Sequence, residues 1–344
     1  MKKIGVVLFG NKSLEVREFP NLEPRLNEVL IEVKAAGICG SDLHFYRSSP
    51  DELGARYGKI VGHEPAGIVI QTGNAVSKFK VGDRVTVNHT LGCGHCQYCH
   101  QGETVLCPTG KGMALADAGA NTNVLKLPEN ACLELPENIS FEDGTFIACT
   151  GATAYNAVQQ LRGKAVRNVV VFGLGPVGLS AMLMLEKIGI HTVGIDPMKS
   201  RRDFATSLGF EKIVDFTETE GLIKMSPNPE GFCGSIETSG AKNAQSGAID
   251  VLTPKGVVIY LGLSRGVPSI SPEQFIHKQI RLQGSKVLPS WAAVEMMNFM
   301  QERNFSLAQL IRERIPIQRA AEAFEKFESG LSGCLLYTSD AADE

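Results

Sequence analysis

The chain has 344 residues, with 34 Lys or Arg against 37 Asp or Glu, and its formal net charge is −3. This length exceeds what one small hydrophobic core needs and predicts two domains. The small net charge and the lack of a long basic run disfavour nucleic acid as a partner. The first residues lack the apolar stretch of a signal peptide, so we expect a cytoplasmic protein with reduced cysteines.

The first 150 residues predict a β-rich domain. Alternation from Val29 to Ala35 predicts a half-buried strand. Short strands are predicted at Ala66–Gln71 and Arg84–Asn88, next to glycine-containing turns. Many short strands separated by turn signals are typical of a compact β domain.

Four cysteines follow in one short window with the spacing C-x2-C-x2-C-x7-C, namely Cys93, Cys96, Cys99 and Cys107. Four thiolates on a tight loop suit one tetrahedral ion with no open position, which is typical of a structural zinc. A four-cysteine iron–sulfur cluster is an alternative, since sulfur ligation alone does not separate the two metals. Four unrelated buried thiols are a third interpretation, which the dense clustering and the polar flanking residues disfavour.

After Cys149 the pattern changes to strands that alternate with helices. A continuous apolar strand at Val169–Phe172 leads into a helix from Pro176 to Ile188, and a second strand follows at His191–Ile195. Further helices are predicted at 200–208, 243–252 and 319–327, and further strands at 213–215, 235–237, 257–261 and 280–283. This alternation predicts a doubly wound parallel sheet. The apolar stretch 169–185 is short and contains glycines and a proline, so no membrane partner is expected.

The segment from Gly173 to Gly178 matches the GxGxxG pattern of a dinucleotide-binding loop, with Gly175, Pro176 and Val177 between its outer glycines. It follows a predicted strand and opens a helix, as that loop requires. The free N–H groups of the helix N-terminus would bind the phosphates. A glycine-rich turn without a ligand is the alternative interpretation.

Asp196 ends the second strand of this region and predicts a preference for NAD over NADP. Its carboxylate can accept hydrogen bonds from the ribose hydroxyls and would repel a 2′-phosphate. Arg201 and Arg202 follow a few residues later. They are either part of the coenzyme site, where they would weaken that preference, or a solvated helix face.

Three further segments contain side chains that bind metals: Gly37–His44, Gly62–Gly67 and Cys149–Tyr155. A lone cysteine is usually a small buried hydrophobe, and a lone histidine is usually a satisfied polar residue. Together, however, two thiolates and one imidazole would leave one position of a tetrahedral zinc open. This Cys2His arrangement is known from alcohol-oxidising zinc sites.

The order of these motifs, GxCGSDxH, GHExxG, the four cysteines, C-x3-T and GxGxxG with a downstream Asp, resembles the zinc-containing medium-chain alcohol dehydrogenase family over residues 2–333. The resemblance implies a GroES-like β-rich catalytic domain at 1–150, completed by 285–333. It also implies a Rossmann domain at 151–284, with the site in the cleft between the two domains. The implied reaction is hydride transfer from a small-molecule alcohol or polyol to NAD, in a homodimer or homotetramer with two Zn²⁺ per chain.

The resemblance also implies roles for individual residues. Cys39, His63 and Cys149 would bind the catalytic zinc, with Glu64 beside the ion or exchanging onto it, and Asp42 would orient His63. Cys93, Cys96, Cys99 and Cys107 would bind the structural zinc. Ser41 would take the substrate proton, His44 would pass it to solvent through the coenzyme ribose, and Thr153 would lie against the nicotinamide. Ser41 as a plain turn hydroxyl and His44 as a surface residue are the alternatives.

Two other functions stay open at this stage. A polyol or threonine-type dehydrogenase on the same scaffold is the first, although some polyol enzymes of the family have a glutamate where this chain has Cys149. A non-catalytic dinucleotide- or zinc-sensing protein is the second, and the pair Ser41 and His44 disfavours it because a sensor needs no proton relay.

Three other local features of the sequence lie outside these motifs. Segment 110–123 is rich in Ala and Asn and lacks the glycine–aromatic–acidic pattern common there. His89 has no partner motif and is expected to be structural. Residues 334–344 resemble a translated sequencing adapter, so we expect a non-native tail there and a native C-terminus that is truncated near Gly333.

Overall fold

The chain divides into two compact units, Met1–Ala152 with Leu288–Glu344, and Thr153–Val287. The sequence predicts boundaries at 150/151 and 284/285, two and three residues away from these. The computed structural model describes residues 2–162, 166–215, 219–263, 268, 270–330 and 334–338.

The first 149 residues form short strands and short helices. The strands are β1 (Lys3–Gly10), β2 (Ser13–Phe19), β3 (Glu28–Gly37), β4 (Glu64–Thr72), β5 (Arg84–Val87), β6 (Thr90–Leu91), β7 (Lys111–Gly112), β8 (Val124–Pro128) and β9 (Cys132–Glu134). The helices are α1 (Gly40–Arg47), α2 (Pro50–Leu53), α3 (Gln97–His100) and α4 (Phe141–Ala148). Short 3-10 helices lie at Gly54–Arg56, Thr104–Leu106, Met113–Ala116 and Glu129–Ala131.

The second unit is a parallel α/β layer structure that begins within helix α5 (Thr150–Leu161). Its strands are β10 (Asn168–Phe172), β11 (His191–Ile195), β12 (Ile213–Val214), β13 (Phe232–Glu237), β14 (Leu252–Tyr260) and β15 (Arg281–Gly284). Its other helices are α6 (Pro176–Lys187), α7 (Lys199–Ser207), α8 (Thr219–Ile223), α9 (Lys242–Asp250) and α10 (Pro272–Lys278).

These six strands form one sheet in the order β12-β11-β10-β13-β14-β15, and each neighbouring pair is parallel. The order reverses between β10 and β13, which is the arrangement of a Rossmann sheet. The predicted α/β fold class with a Rossmann sheet is therefore confirmed. Every residue of β10 is buried, which explains why the sequence there is apolar without alternation.

The chain then returns to the first unit with α11 (Ala292–Glu302), β16 (Ile311–Arg314), α12 (Ala320–Glu328) and β17 (Cys334–Thr338). Two more 3-10 helices lie at Leu307–Leu310 and Ile317–Arg319. The main sheet of this unit has the order β16-β17-β3-β4-β5-β9, and β8 pairs with β3. Two further antiparallel pairs, β1 with β2 and β6 with β7, also belong to this unit.

The antiparallel pair of β3 and β4 determines where the candidate site lies. In its register Gly37, the last residue of β3, is opposite Glu64, the first residue of β4. The segments that follow β3 and precede β4 are therefore brought side by side. The core beneath them consists of buried aliphatic and aromatic side chains of the same unit, including Val29, Leu125 and Phe324.

Two sequence-based expectations concern the ends and the apolar stretch. Residues 334–338 of the predicted non-native tail lie in β17, between β16 and β3, and residues 339–344 are outside the described residues. The non-native origin of this tail stays a prediction. None of the helices in the described ranges combines the length and the apolarity that crossing a bilayer requires.

Candidate functional site

Side chains from three separate segments of the first unit converge at one point. Cys39, His63, Glu64 and Cys149 each offer one ligand atom, and all four atoms lie within 4.8 Å of one another. Zinc–ligand bonds of about 2.0–2.3 Å in a tetrahedron put neighbouring ligand atoms about 3.3–3.8 Å apart. Two thiols, one imidazole and one carboxylate are also ligands that zinc accepts. The residues present therefore fit a zinc ion.

Local backbone geometry presents each of these ligands. Cys39 is the extended residue that precedes α1, with φ −87° and ψ 157°. Gly62 has φ +92°, a turn conformation that favours glycine, and it directs the next residue, His63, toward the cluster. Cys149 separates α4 from α5 with φ −152° and ψ −69°, so its side chain leaves the helical path.

Asp42 connects two of the ligands through one buried carboxylate. The backbone N–H of Cys39 donates to Asp42 Oδ2 at 2.9 Å, and His63 Nδ1 lies 3.3 Å from Asp42 Oδ1. A carboxylate at Nδ1 holds the ring and leaves Nε2 for a metal ion. The position of Asp42 is the one that an orienting role for this residue requires.

Charges and burial shift the pKa values within the cluster. The hydrogen bond from Cys149 lowers the pKa of the Cys39 thiol well below its usual value, and His63 and Ser41 act in the same direction. Burial lowers the pKa of the His63 imidazole. The charge of Asp42 acts in the opposite direction, and the pKa of His63 is raised well above its usual value. Burial, followed by the charge of Cys39, raises the pKa of Glu64 well above its usual value. The cluster thus favours a thiolate at Cys39, the form that binds metals.

His89 lies beside the cluster, which sequence reasoning did not predict. Its ring packs edge-on against His63, with 4.9 Å between the ring centroids. Its Nδ1 is 2.8 Å from the carbonyl oxygen of Ala148, and because a carbonyl only accepts, Nδ1 must bear the proton. His89 therefore joins the segment of one ligand to the segment of another. No spacing rule in the sequence indicates this contact.

The three residues predicted to act on substrate or coenzyme lie on helices next to the ligands. Ser41 and His44 are three residues apart on α1 and so face the same side of it. Ser41 is half-buried and hydrogen-bonds to the Cys39 sulfur, whereas His44 is exposed. Thr153 lies on α5, one turn after Thr150. The catalytic roles of Ser41, His44 and Thr153 stay predictions.

The four lobe cysteines form the second cluster. Their sulfur atoms lie within 4.8 Å of one another, with 4.0 Å from Cys93 to Cys99 and 3.8 Å from Cys96 to Cys107. A tetrahedral zinc with bonds of about 2.3 Å has sulfur–sulfur edges of about 3.8 Å. The N–H of Cys93 donates to the Cys107 sulfur and lowers the pKa of that thiol to about 6. All four thiols are free, so this cluster also fits a zinc ion.

The glycine-rich loop of the second unit is closed on one side and open on the other. Gly173 has φ +96°, and a side chain at Gly178 would overlap the Gly173 carbonyl. The Thr238 hydroxyl lies 3.0 Å from the Phe172 carbonyl and 3.1 Å from the Gly173 carbonyl, to which it can donate. A β-carbon added at Gly175, in contrast, would meet nothing within 4 Å. This open side, at the start of α6, fits the pyrophosphate of a dinucleotide.

Asp196 lies beside the same loop with only 1% of its surface exposed. Its Oδ2 accepts the N–H of Leu174 and its Oδ1 accepts the N–H of Met198, both at 2.9 Å. Arg201 Nη1 is 3.3 Å from Asp196 Oδ2. Arg202 donates to the carbonyls of residues 196 and 197 and pairs with Asp215 at 3.2 Å. The carboxylate is therefore fixed at the end of β11, next to the glycine-rich loop.

Comparison with known proteins gives matches over nearly the whole chain. Residues 25–137 match the alcohol dehydrogenase GroES-like domain family, and residues 176–302 match the zinc-binding dehydrogenase family. The uncharacterized zinc-type alcohol dehydrogenase-like protein YphC of Escherichia coli (strain K12) is 31% identical over 343 residues, which cover 96% of this chain and 97% of that protein.

Two further similar proteins are named as dehydrogenases. L-threonine 3-dehydrogenase of Yersinia pestis (strain Pestoides F) is 28% identical over 341 residues, 97% of this chain and 98% of that protein. The structure of alcohol dehydrogenase TADH from Thermus sp. ATN1 superposes with a TM-score of 0.85 at 24% identity, and covers 97% of this chain and 99% of that one. At that identity the structural likeness concerns the fold alone.

Proposed function

Because the chain belongs to the zinc-containing medium-chain dehydrogenase family, we propose that it oxidises an alcohol to an aldehyde or ketone with NAD as the hydride acceptor. Oxidoreductase chemistry on this scaffold is common to its relatives. The finer assignment depends on one observation, the convergence of Cys39, His63 and Cys149 at one point. When Glu64, the fourth potential ligand of this cluster, is not bound to the ion, the other three leave a position for substrate, whereas a purely structural zinc is closed.

A zinc ion held by these ligands would supply Lewis-acid polarisation of the substrate hydroxyl. The residues around it would perform the remaining tasks. Asp42 fixes the orientation of His63 through their 3.3 Å contact. Ser41, next to Cys39, is placed to accept the hydroxyl proton, and exposed His44, one turn later on α1, is placed to release it to water. Neither residue acts as a strong base, since polarisation makes the hydroxyl proton easy to remove.

The proposed preference for NAD is supported by the surroundings of Asp196. A buried carboxylate at the end of β11 would repel a 2′-phosphate. Arg202, which could attract that phosphate, is engaged by two carbonyls and by Asp215. Arg201 faces Asp196 itself. Both arginines thus have partners within the protein.

The second candidate is oxidation of an amino alcohol or a polyol at the same site. The relative from Yersinia pestis named L-threonine 3-dehydrogenase supports including L-threonine among the substrates. A substrate panel separates the candidates: simple primary and secondary alcohols, vicinal diols, sugar alcohols and L-threonine, each with NAD and with NADP, followed by absorbance at 340 nm. If no substrate in this panel reduced NAD, the proposed function would be contradicted.

A variant pair tests the metal site. Cys39→Ala should abolish turnover and leave NADH binding unchanged, because the coenzyme loop is in the other unit. Cys233→Ala is the matched control, since Cys233 is half-buried and belongs to neither cluster. Full activity in Cys39→Ala would overturn the assignment. Metal analysis should find two zinc ions per chain, and light scattering should find a homodimer or homotetramer, as the family resemblance implies.

A further inference from the structure

We propose that Thr150 is a positioning residue that holds Glu64 off the metal ion and so keeps a coordination position open for substrate. The inference rests on the proposed function, because it assumes an ion bound by Cys39, His63 and Cys149. It assigns a role to Thr150, which directly follows the ligand Cys149. It also places the resting Glu64 carboxylate beside the ion and not bound to it.

The Glu64 carboxylate is confined on two sides. The Thr150 hydroxyl donates to Glu64 Oε1. On the other side Oε2 packs against Gly37, so closely that a β-carbon at Gly37 would overlap it. Only 4% of Glu64 is exposed, so water does not compete for these contacts. The carboxylate is thus held by one hydroxyl. It occupies space that is open only because Gly37 has no side chain.

Chain connectivity explains why Thr150 can control the ion's surroundings. Thr150 is the first residue of α5 and directly follows the ligand Cys149. Glu64 directly follows the ligand His63 and is paired with Gly37 in the β3–β4 ladder. The hydrogen bond therefore connects the two ligand-bearing segments at the site itself. The hydrogen bond holds the Glu64 carboxylate toward Thr150 and so opposes its movement onto the ion.

Loss of the hydroxyl should move Glu64 onto the ion. A buried carboxylate oxygen without its hydrogen bond is costly, and a cation bound by Cys39, His63 and Cys149 would replace that bond. Glu64 would then be a fourth protein ligand, and the ion would be held more tightly but closed to substrate. Thr150→Val removes the hydroxyl and keeps the side-chain shape, while Thr150→Ser keeps the hydroxyl and serves as the control.

Two readouts test this without turnover. In cobalt-substituted protein, imidazole is titrated as a small competing ligand and followed by visible absorption. Thr150→Val should need about tenfold more imidazole than wild type, on the scale of one hydrogen bond to a charged group. Removal of the ion by a chelator should be slower in Thr150→Val by a similar factor. Thr150→Ser should match wild type in both readouts.

Two further variants separate positioning by Thr150 from a general structural effect. Gly37→Ala should displace Glu64 from the opposite side and reproduce the effect of Thr150→Val. In the double variant Thr150→Val with Glu64→Gln, both effects should disappear, because no carboxylate is left to occupy the position. Persistence of the effects in the double variant would show that Glu64 is not responsible and would overturn the inference.

The outcomes also separate this inference from the proposed function. A wild-type chain that binds an ion only at the cysteine lobe would overturn the proposed function and this inference together. A wild type with two ions, whose Thr150→Val variant releases metal as fast as Thr150→Ser or faster, would overturn this inference alone. Slower release and weaker imidazole binding in Thr150→Val, with both effects lost in the double variant, would support it.

Discussion

Replacement of Gly175 by alanine tests the coenzyme loop without disturbing the fold. The residue has φ −74°, which alanine adopts freely, and its added β-carbon would meet nothing within 4 Å. A compatible Gly→Ala change stabilises a protein by about 0.4–1 kcal/mol, because it restricts the unfolded chain. We therefore expect Gly175→Ala to have the same thermal midpoint as wild type or a slightly higher one.

Coenzyme binding should respond in the opposite direction. The space at Gly175 is where backbone approaches a pyrophosphate in a loop of this type, and the new methyl group would hold the phosphates away from the N–H groups of α6. A hydrogen bond to a charged group contributes about 1.5–3 kcal/mol. Loss of one such bond would raise the Kd for NADH by roughly 10- to 150-fold. Titration followed by NADH fluorescence measures this change directly.

The same substitution three residues later is the control. At Gly178 the new β-carbon would overlap the Gly173 carbonyl, a backbone atom that cannot turn aside. Overpacking of this kind costs about 1–3 kcal/mol, so Gly178→Ala should lower the thermal midpoint even without coenzyme. Wild-type affinity for NADH in Gly175→Ala would refute the assigned coenzyme position. A fall in its thermal midpoint like that of Gly178→Ala would refute the open side of the loop.

Three further predictions concern the metals and the coenzyme. Asp42→Asn should weaken metal binding at the His63 site about 10- to 100-fold in a chelator competition. Asparagine has one acceptor oxygen, so it cannot accept hydrogen bonds from both Cys39 and His63 as the two Asp42 oxygens do. Asp83→Asn, which alters a backbone hydrogen bond with Lys80 elsewhere, should not change it. Cys99→Ser should reduce metal content by one ion per chain and lower the thermal midpoint while NADH binding persists; unchanged metal content would contradict the lobe assignment. Asp196→Ser should shift kcat/KM toward NADP by about tenfold or more, and an unchanged ratio would contradict its role in coenzyme choice.

The second unit is predictable because its signals are local. Apolar strands, helix-forming stretches and glycine stops follow one another, and this alternation predicts a doubly wound parallel sheet. The errors lie at element ends. The helix predicted to reach Leu252 ends at Asp250, because Leu252 opens the buried strand β14. Strand β13 begins at Phe232, three residues before its predicted start. The residues Phe232 to Gly234 show no alternation, so the sequence pattern did not indicate that they are part of the strand.

Contacts that join distant segments were beyond sequence reasoning. Thr238 contacts Gly173 across 65 residues, and His89 contacts the carbonyl of Ala148 across 59. Neither residue belongs to a motif. The register of β10 with β13 brings Thr238 to Gly173, whereas His89 follows strand β5 and meets the last residue of helix α4. Segment 110–123, despite its departure from the family pattern, supports the turn before His63: the N–H of Ala120 donates to Gly62 at 3.0 Å and that of Asn121 donates to Val61 at 2.9 Å. Backbone bonds of this kind do not depend on the side chains whose pattern is missing.

The two candidate metal sites differ in how they depend on the fold. The lobe cysteines span 14 positions, from 93 to 107, whereas the other ligands span 110, from 39 to 149. Closing a flexible loop of the longer span costs about 2 kcal/mol more than closing the shorter one. The lobe can therefore assemble largely around its own ion, and spacing alone identifies it. The open site needs the β3–β4 ladder and the α4–α5 break before its ligands meet. An ion bound at this proposed catalytic site should accordingly be lost first when the first unit is destabilised.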